Sequence, residues 1–372
     1  MISFLSVFPP YRGGISTFSD YLYRHLSDHR VVNAYNFKTL YPDLLFPGKS
    51  QKREEEGESY AEPLLHSYNP LNWNRAARRI AKDQPDFLLY SHWHPFFSPA
   101  YSSVMKKLSV QSPSTRSVCI AHNILPHESF PFGKQLIRRM LNRTDKIVLL
   151  SGQTLGELHQ LKVNIENRKL FHPVYTMQPT SRSRSELREA YGFQPGDRVL
   201  LFFGLIRKYK GLDLLIDALN QLDLEQLQIR PLIAGEFYDS KEDYIDRIRQ
   251  DHRSLYTIVD RFVTDEELAE IFTLSDLLVL PYRSASQSGI LANAIQFQLP
   301  VLVSDQPGLT EHIDHGKTGL IFESENVEAL RSAIRQYIET IDTEKMRENL
   351  KQLKNELSWE NFTGQLLGFL ES

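Results

Sequence analysis

Two stretches of the sequence gather small and basic residues in a pattern suited to phosphate. Residues 204–211 read Gly-Leu-Ile-Arg-Lys-Tyr-Lys-Gly and set Arg207, Lys208 and Lys210 between an apolar run and a helical period. The free N–H groups and dipole of a helix start attract anions, and these side chains add positive charge at the same end. Residues 281–289, Pro-Tyr-Arg-Ser-Ala-Ser-Gln-Ser-Gly, also follow a strand-like run and open a helix. Small residues there let backbone N–H groups approach a pyrophosphate. A third turn, Tyr11-Arg-Gly-Gly-Ile15, opens the first helical period; taken alone, Gly13 and Gly14 need be no more than a tight turn with φ > 0.

Histidines form the second group. His92 and His94 follow the apolar run ending at Tyr90, and His122, Asn123, His127 and Glu128 follow the run ending at Ala121. Three chemistries are open to them. His-x-His can place two ring nitrogens on one side of an extended segment and so hold a metal with Glu128. The same imidazoles can hydrogen-bond a polyhydroxylated or phosphorylated substrate, or cap turns. The Gly-x-Ser-x-Gly elbow and the Walker phosphate loop are both absent, which argues against a hydrolase triad of that type and against an NTPase.

These loops need strands to hold them. Residues 2–8 are a β-rich run broken by Pro9-Pro10 and Gly13-Gly14, and 16–26 carry a helical period. The unit recurs: strands at 87–90, 116–121 and 146–150 precede helices at 99–108, 133–141 and 154–161. Strand-helix alternation predicts a parallel sheet covered on both faces. Residues 41–63, with three prolines and a charge run, have no clear period and read as a surface excursion. After His172-Pro173 a polar stretch, 178–184, marks a boundary, and a second alternation starts with strands at 198–203, 230–234, 277–280 and 301–303 and a helix at 212–222. An amphipathic helix at 358–370 ends the sequence and is expected to pack back on the first domain. Ligands of such sheets bind beyond the carboxyl ends of the strands, so the loops above are where chemistry belongs.

At 372 residues two domains are expected. Hydrophobic residues make up 41% and charged residues 24%, with no apolar run long enough to span a bilayer, so a folded, non-spanning chain is predicted. Residues 2–5 read as a first strand and not as an export signal, and the lone Cys119 excludes a disulfide framework, which together point to a cytoplasmic protein. The net charge of −3 hides an asymmetry: residues 1–172 hold 22 Lys and Arg against 14 Asp and Glu. That excess suggests a phosphate-bearing partner such as an anionic membrane surface, with solvated charge as the bland reading. The helix at 133–141 intersperses Leu136, Ile137, Met140 and Leu141 with Lys134, Arg138 and Arg139, a pattern able to lie in a membrane interface or to face a core. No nucleic-acid-binding motif accompanies these cations.

Assembled, these residues resemble the retaining glycosyltransferases of family 4, the glycosyl transferases group 1, over nearly the whole chain. Residues 200–215 are similar to the family's strand, glycine, basic turn and Lys-Gly helix start; 271–281 and 299–319 follow in the family's order, and Gly13-Gly14 match its N-terminal glycine loop. The resemblance implies an α/β chain of the GT-B fold: two facing Rossmann-like doubly wound parallel-sheet domains with an interdomain cleft. Residues 1–172 would be the acceptor-side domain, 173–355 the nucleotide-sugar donor domain, and 356–372 the returning helix. It implies His122, Arg207 and Lys210 as catalytic groups, and Gly13, Gly14, Gly204, Gln287, Ser288, Gly289 and Asn293 as donor-binding. His94, Asn123, His127 and Glu128 would contact acceptor or sugar, with no metal and no cofactor beyond the nucleotide-diphosphate sugar. The expected partner is a glycan or lipid-linked acceptor in surface polysaccharide synthesis; a noncatalytic nucleotide-sugar-binding partner and a GT-B epimerase are the alternatives. The chain departs from the family at two positions usually occupied by glutamate, here Ala285 and Asn293, and the family's arginine position holds Leu205.

Overall fold

The computed structural model describes residues 1–41, 59–125, 130–175, 177–285 and 288–372. They divide into two compact units, one of residues 1–172 with 359–372 and the other of residues 173–358. No helix among them is long and apolar enough to cross a membrane.

The first unit runs β1 (Ile2–Leu5), α1 (Gly14–Ser27), β2 (Val32–Thr39), β3 (Glu62–His66), α2 (Pro70–Ala81), β4 (Phe87–His92), α3 (Ser98–Gln111), β5 (Arg116–Ala121), α4 (Gly133–Leu141), β6 (Lys146–Leu149), α5 (Gly152–Leu161) and β7 (Glu166–Lys169). Its seven strands are ordered β3-β2-β1-β4-β5-β6-β7, and every pairing is parallel. The central strands are continuous buried apolar runs, as a sheet covered on both faces requires. Residues 42–58 of the expected excursion lie outside the described residues, but its end is ordered as β3. Pro63 argues against a strand in sequence; at the sheet edge its missing N–H costs no ladder bond. The other edge, β7, consists of four exposed polar residues, which leaves no hydrophobic period to read.

The second unit runs α6 (Arg184–Ala190), β8 (Arg198–Phe203), α7 (Leu212–Leu219), β9 (Ile229–Ala234), α8 (Lys241–Arg247), β10 (Thr257–Val259), α9 (Asp265–Leu274), β11 (Leu277–Leu280), α10 (Gly289–Gln296), β12 (Val301–Ser304), α11 (Pro307–Thr310), β13 (Leu320–Phe322), α12 (Val327–Thr340) and α13 (Thr343–Glu356). Its parallel sheet is ordered β10-β9-β8-β11-β12-β13, the same winding as the first.

Handedness then assigns the faces. In the first unit only the β1-to-β2 step carries a described helix in one direction, whereas the steps from β3 through β7 go the other way. Right-handed crossovers therefore put α1 on one face and α2, α3, α4 and α5 on the opposite face. The thin face is completed by α14 (Trp359–Glu371), which packs on α1. Phe18 of α1, fully buried, makes ring contacts with Trp359 at 5.1 Å and Phe362 at 5.9 Å, and Trp359 stacks on Tyr21 and His25 at 5.5 Å each. At the far end, the buried Lys146 donates to the Phe369 carbonyl at 2.8 Å and pairs with Glu166 at 3.0 Å. A cation at a helix C-terminus meets the negative end of the dipole.

Helix α4 settles one alternative left open by the sequence. Ile137, Met140 and Leu141 are buried in the first unit's core, so for them the core-facing reading of the two holds, while Leu136 is half-buried. Arg138 donates to the Leu161 carbonyl at 2.8 Å.

Because Trp359 joins α14 to α1, Trp359→Ala should cost about 3–5 kcal/mol, the usual range for a buried tryptophan truncated to alanine. Urea unfolding followed by circular dichroism measures it. A loss under about 1 kcal/mol would mean that this contact does not hold the helix.

Candidate functional site

In each sheet the winding reverses between two neighbouring strands, β1 and β4 in the first, β8 and β11 in the second. Connections leave those strands in opposite directions, which opens a crevice beyond their carboxyl ends. The loops singled out in the sequence sit at these two places.

In the second unit the crevice is built by backbone contact. Gly204, Gly211 and Gly235 all have positive φ, at 102°, 71° and 140°. A Cβ on Gly211 would lie 2.0 Å from the Pro281 carbonyl oxygen, and one on Gly235 would lie 2.2 Å from that of Gly204. The loops after β8, β9 and β11 thus touch through main chain, and any larger residue would part them. Arg283 locks the same junction. Its backbone N–H donates to the Tyr209 carbonyl at 2.7 Å, and its guanidinium donates to the Lys208 carbonyl and, by two nitrogens at 2.9 and 2.7 Å, to Asp213. Burial pushes the Asp213 carboxyl up, but the Arg283 bond and charge more than offset this and hold it below the ordinary value.

Lys210 is the chemical centre of this arrangement. It is 7% exposed, and no described residue gives it a carboxylate or a hydrogen-bond acceptor. Its Nζ lies 5.5 Å from the Tyr282 ring and 2.9 Å from where a Gly204 Cβ would be. Ile290, in the first turn of α10, reaches the same point at 2.6 Å. The ammonium thus lies near the first turn of α10, while in the chain Lys210 directly precedes Gly211, the N-cap of α7. Burial, reinforced by Arg207, pushes the lysine down to about 8. Arg207 is exposed and lies over the Tyr238 ring at 4.5 Å. Ser288 caps α10 by accepting from the Leu291 N–H at 3.2 Å. Gly289 has no atom within 4 Å of a built Cβ, and Asn293, four residues along, shares its helix face. Lys208 presents its carbonyl to Arg283 and an exposed side chain; Gln287 lies outside the described residues.

In the first unit Asn36 fastens the loop after β1, exchanging hydrogen bonds with the N–H and carbonyl of Phe8 at 3.1 Å each. Gly13, at φ 111°, then caps α1 without a side chain, and Gly13 and Gly14 both border open space. His122 is buried with Nε2 unpartnered, and its ring meets the Phe18 edge at 4.7 Å. Burial, with His172 and His92 nearby, pushes it down to about 3, so the imidazole is neutral at pH 7. His92 is fully buried with neither nitrogen partnered, and burial pushes it too down to about 3. His94 accepts from the Phe96 N–H at 3.2 Å and so caps a short 3-10 turn, separately from His122. Asn123 is half-buried, and its loop is pinned where Ile124 and Leu125 donate to Glu157 at 3.1 and 2.9 Å. His127 and Glu128 lie outside the described residues, among which no three His, Cys, Asp or Glu side chains are grouped to hold a metal.

Sequence reasoning did not find Asn36, Glu157, His172 or the Arg283–Asp213 pair. Each acts across a gap of at least 28 residues in the chain, and no local spacing signals such contacts.

Residues 183–355 match the model of glycosyl transferases group 1. An uncharacterized glycosyltransferase of Methanocaldococcus jannaschii is 24% identical over 364 residues, 95% of this chain and 93% of that protein. A D-inositol 3-phosphate glycosyltransferase of Pseudarthrobacter chlorophenolicus is 31% identical over 148 residues, 39% of this chain and 35% of that protein. Among solved structures, Anabaena HepE in complex with UDP superposes with a TM-score of 0.71 at 17% identity, covering 100% of this chain and 99% of that one; HepE is also solved with UDP-glucose. The unit built around Lys210 therefore belongs to the glycosyl transferases group 1, and the chain that carries it has the GT-B fold.

Proposed function

We propose that this protein transfers a glycosyl group from a nucleotide-diphosphate sugar to a glycan or lipid-linked acceptor with retention of anomeric configuration, in the synthesis of a surface polysaccharide. The observation that carries the reading is Lys210: a buried ammonium with no counter-carboxylate among the described residues, beside the N-terminal turn of α10 and the open face of Gly289. A site so built lacks one thing, an anion. The diphosphate of a nucleotide sugar supplies it, and the relatives and the UDP-bound structural neighbour support that choice.

As the anomeric carbon–oxygen bond breaks, negative charge gathers on the departing diphosphate. Lys210, Arg207 and the N–H groups at Ser288 and Gly289 are fixed to meet it there, the electrostatic contribution that dominates many enzymes. The acceptor hydroxyl oxygen forms the new bond on the same face, and its proton passes to the leaving phosphate oxygen, so no protein nucleophile is required. His122, neutral at working pH, serves as a hydrogen-bonding partner for sugar or acceptor and not as an acid; Gly13 and Gly14 join the donor contacts, and His94, Asn123, His127 and Glu128 make the acceptor and sugar contacts. Asn293, in place of the usual glutamate, offers an uncharged amide. Fixed cations do the work of a divalent metal in this scheme.

Three measurements test it. Lys210→Ala and Arg207→Ala should each slow transfer by about 10²-fold or more, the scale of a lost charge-stabilising donor; unchanged UDP affinity in both would remove the assignment. A screen of nucleotide sugars by thermal shift identifies the donor, because a bound ligand raises apparent stability with the logarithm of its concentration over Kd. Turnover should survive EDTA. Donor binding without nucleotide release to any acceptor would instead indicate a binding partner, and conversion of donor alone an epimerase.

A pH dependence follows from Lys210. Its folded value of about 8 lies below the unfolded 10.5, so between these the unfolded chain binds the extra proton. Stability of the ligand-free protein should therefore rise with pH across that window. UDP affinity should fall as pH passes through about 8, because the ammonium is lost, and Lys210→Ala should flatten both profiles. Calorimetric titration at pH 7 and 9 checks this.

A further inference from the structure

Helices α2, α3 and α4 together hold eight Lys and Arg residues and not one Asp or Glu. They lie side by side on one face of the first sheet, α2 packed on α3 and α3 on α4. Two of the eight are engaged, Arg79 with Glu62 and Asp83 and Arg138 with the Leu161 carbonyl; Arg143, just beyond α4, binds Ser102. Arg75, Arg78, Lys106, Lys107, Lys134 and Arg139 have no ion pair among the described residues. A cleft of about 570 Å³ between α3 and α4 is lined by Lys106, Lys107, Arg139 and Arg143 with no carboxylate, and Trp73 and Val110 supply apolar wall. A second hollow, about 490 Å³, adds Lys38, Arg75, Arg78 and Lys82, with Glu62 as its only acid.

We propose that this layer is the docking surface for a bilayer rich in anionic phospholipid, and that it seats the acceptor half of the protein on the membrane. The proposal rests on the lipid-linked acceptor reading and gives it a location. Two observations select a bilayer over a soluble polyanion. The cations are spread over three adjacent helices, one of them 14 residues and thus about 21 Å long, a broad face and not a single track for one chain. Apolar side chains stand out among them, Leu71 at 87% and Val110 at 79% exposure, and these find a partner at the headgroup boundary but none on a soluble polyanion. Ile137, Met140 and Leu141 of α4 are committed to the core and Leu136 borders the cleft, so attachment is electrostatic with shallow apolar contact, and salt weakens it.

The test is cosedimentation with vesicles of phosphatidylcholine alone or mixed with phosphatidylglycerol. The protein should pellet with the mixed vesicles at low salt, be released as NaCl approaches physiological strength and above, and stay soluble with neutral vesicles. Lys106→Glu with Lys107→Glu and Arg139→Glu should weaken vesicle binding more than tenfold, and Arg75→Glu with Arg78→Glu should do so independently. Lys106→Arg with Lys107→Arg should bind as the wild type does. The thermal shift given by UDP should be unchanged in every variant, which separates a failed surface from a failed fold or donor site. Absence of the protein from the mixed-vesicle pellet at low salt, or pelleting that the reversals leave intact, overturns the proposal. Heparin binding through these residues without vesicle binding also overturns it and assigns the face to a soluble anionic glycan.

Discussion

The second unit is organised by a distance of closest approach. Three loops leave the carboxyl ends of β8, β9 and β11, and their backbones come so near that Gly211 and Gly235 have no room for a Cβ. Beside this contact Lys210 is buried, and no described residue supplies it with a counter-ion. Desolvating an ammonium is unfavourable, and a fold tolerates it only where neighbouring groups hold the geometry. Here the Arg283–Asp213 pair joins two of the loops, and Ser304 and Ser324 both donate to the Tyr282 carbonyl beneath the lysine. On the proposed reading, affinity for anions and a cost to stability have the same origin.

Much of the architecture is legible in the sequence because parallel strands flanked by helices leave uninterrupted apolar runs. Arg198–Phe203 and Arg116–Ala121 need no partner to be recognised. The strands that escape notice are β2, an inner strand whose run is interrupted by Asn33, Asn36 and Lys38, and four at the sheet edges: β3 carries Pro63, β7 is polar throughout, and β10 and β13 are three residues each. At the site, glycine and lysine spacing picks out loops that the structure sets beyond the carboxyl ends of β8 and β11, where the winding reverses. What local spacing does not carry is orientation. The ammonium of Lys210 lies beside α10, some eighty residues further on, and His94 turns back to cap its own chain while His122 packs on Phe18. His-x-His in an extended segment suggests convergence; here His92 is fully buried at the end of β4, while His94 accepts from the Phe96 N–H.

Charge is divided by face as well as by unit. With α14 included, Glu360 and Glu371 lower the first unit's formal excess from +8 to +6, and both belong to the layer containing α1. In the opposite layer α2, α3 and α4 keep a single sign, and α5 brings Glu157. Handedness of the crossovers thus does more than order the strands: it sorts the helices into one layer closed by aromatic stacking on Trp359 and another that is cationic from α2 to α4.

The way α14 completes the first unit sets an order on biosynthesis. A chain leaves the ribosome from its N-terminus, so residues 1–172 emerge before the helix that covers α1, and all of residues 173–358 must follow first. The second unit is contiguous and can close as soon as it has emerged. Until Trp359 and Phe362 arrive, Phe18 and the apolar side of α1 remain in water. The unit translated first is therefore the one finished last, and its exposed face during that interval is where holdase-type chaperones would find their hydrophobic target.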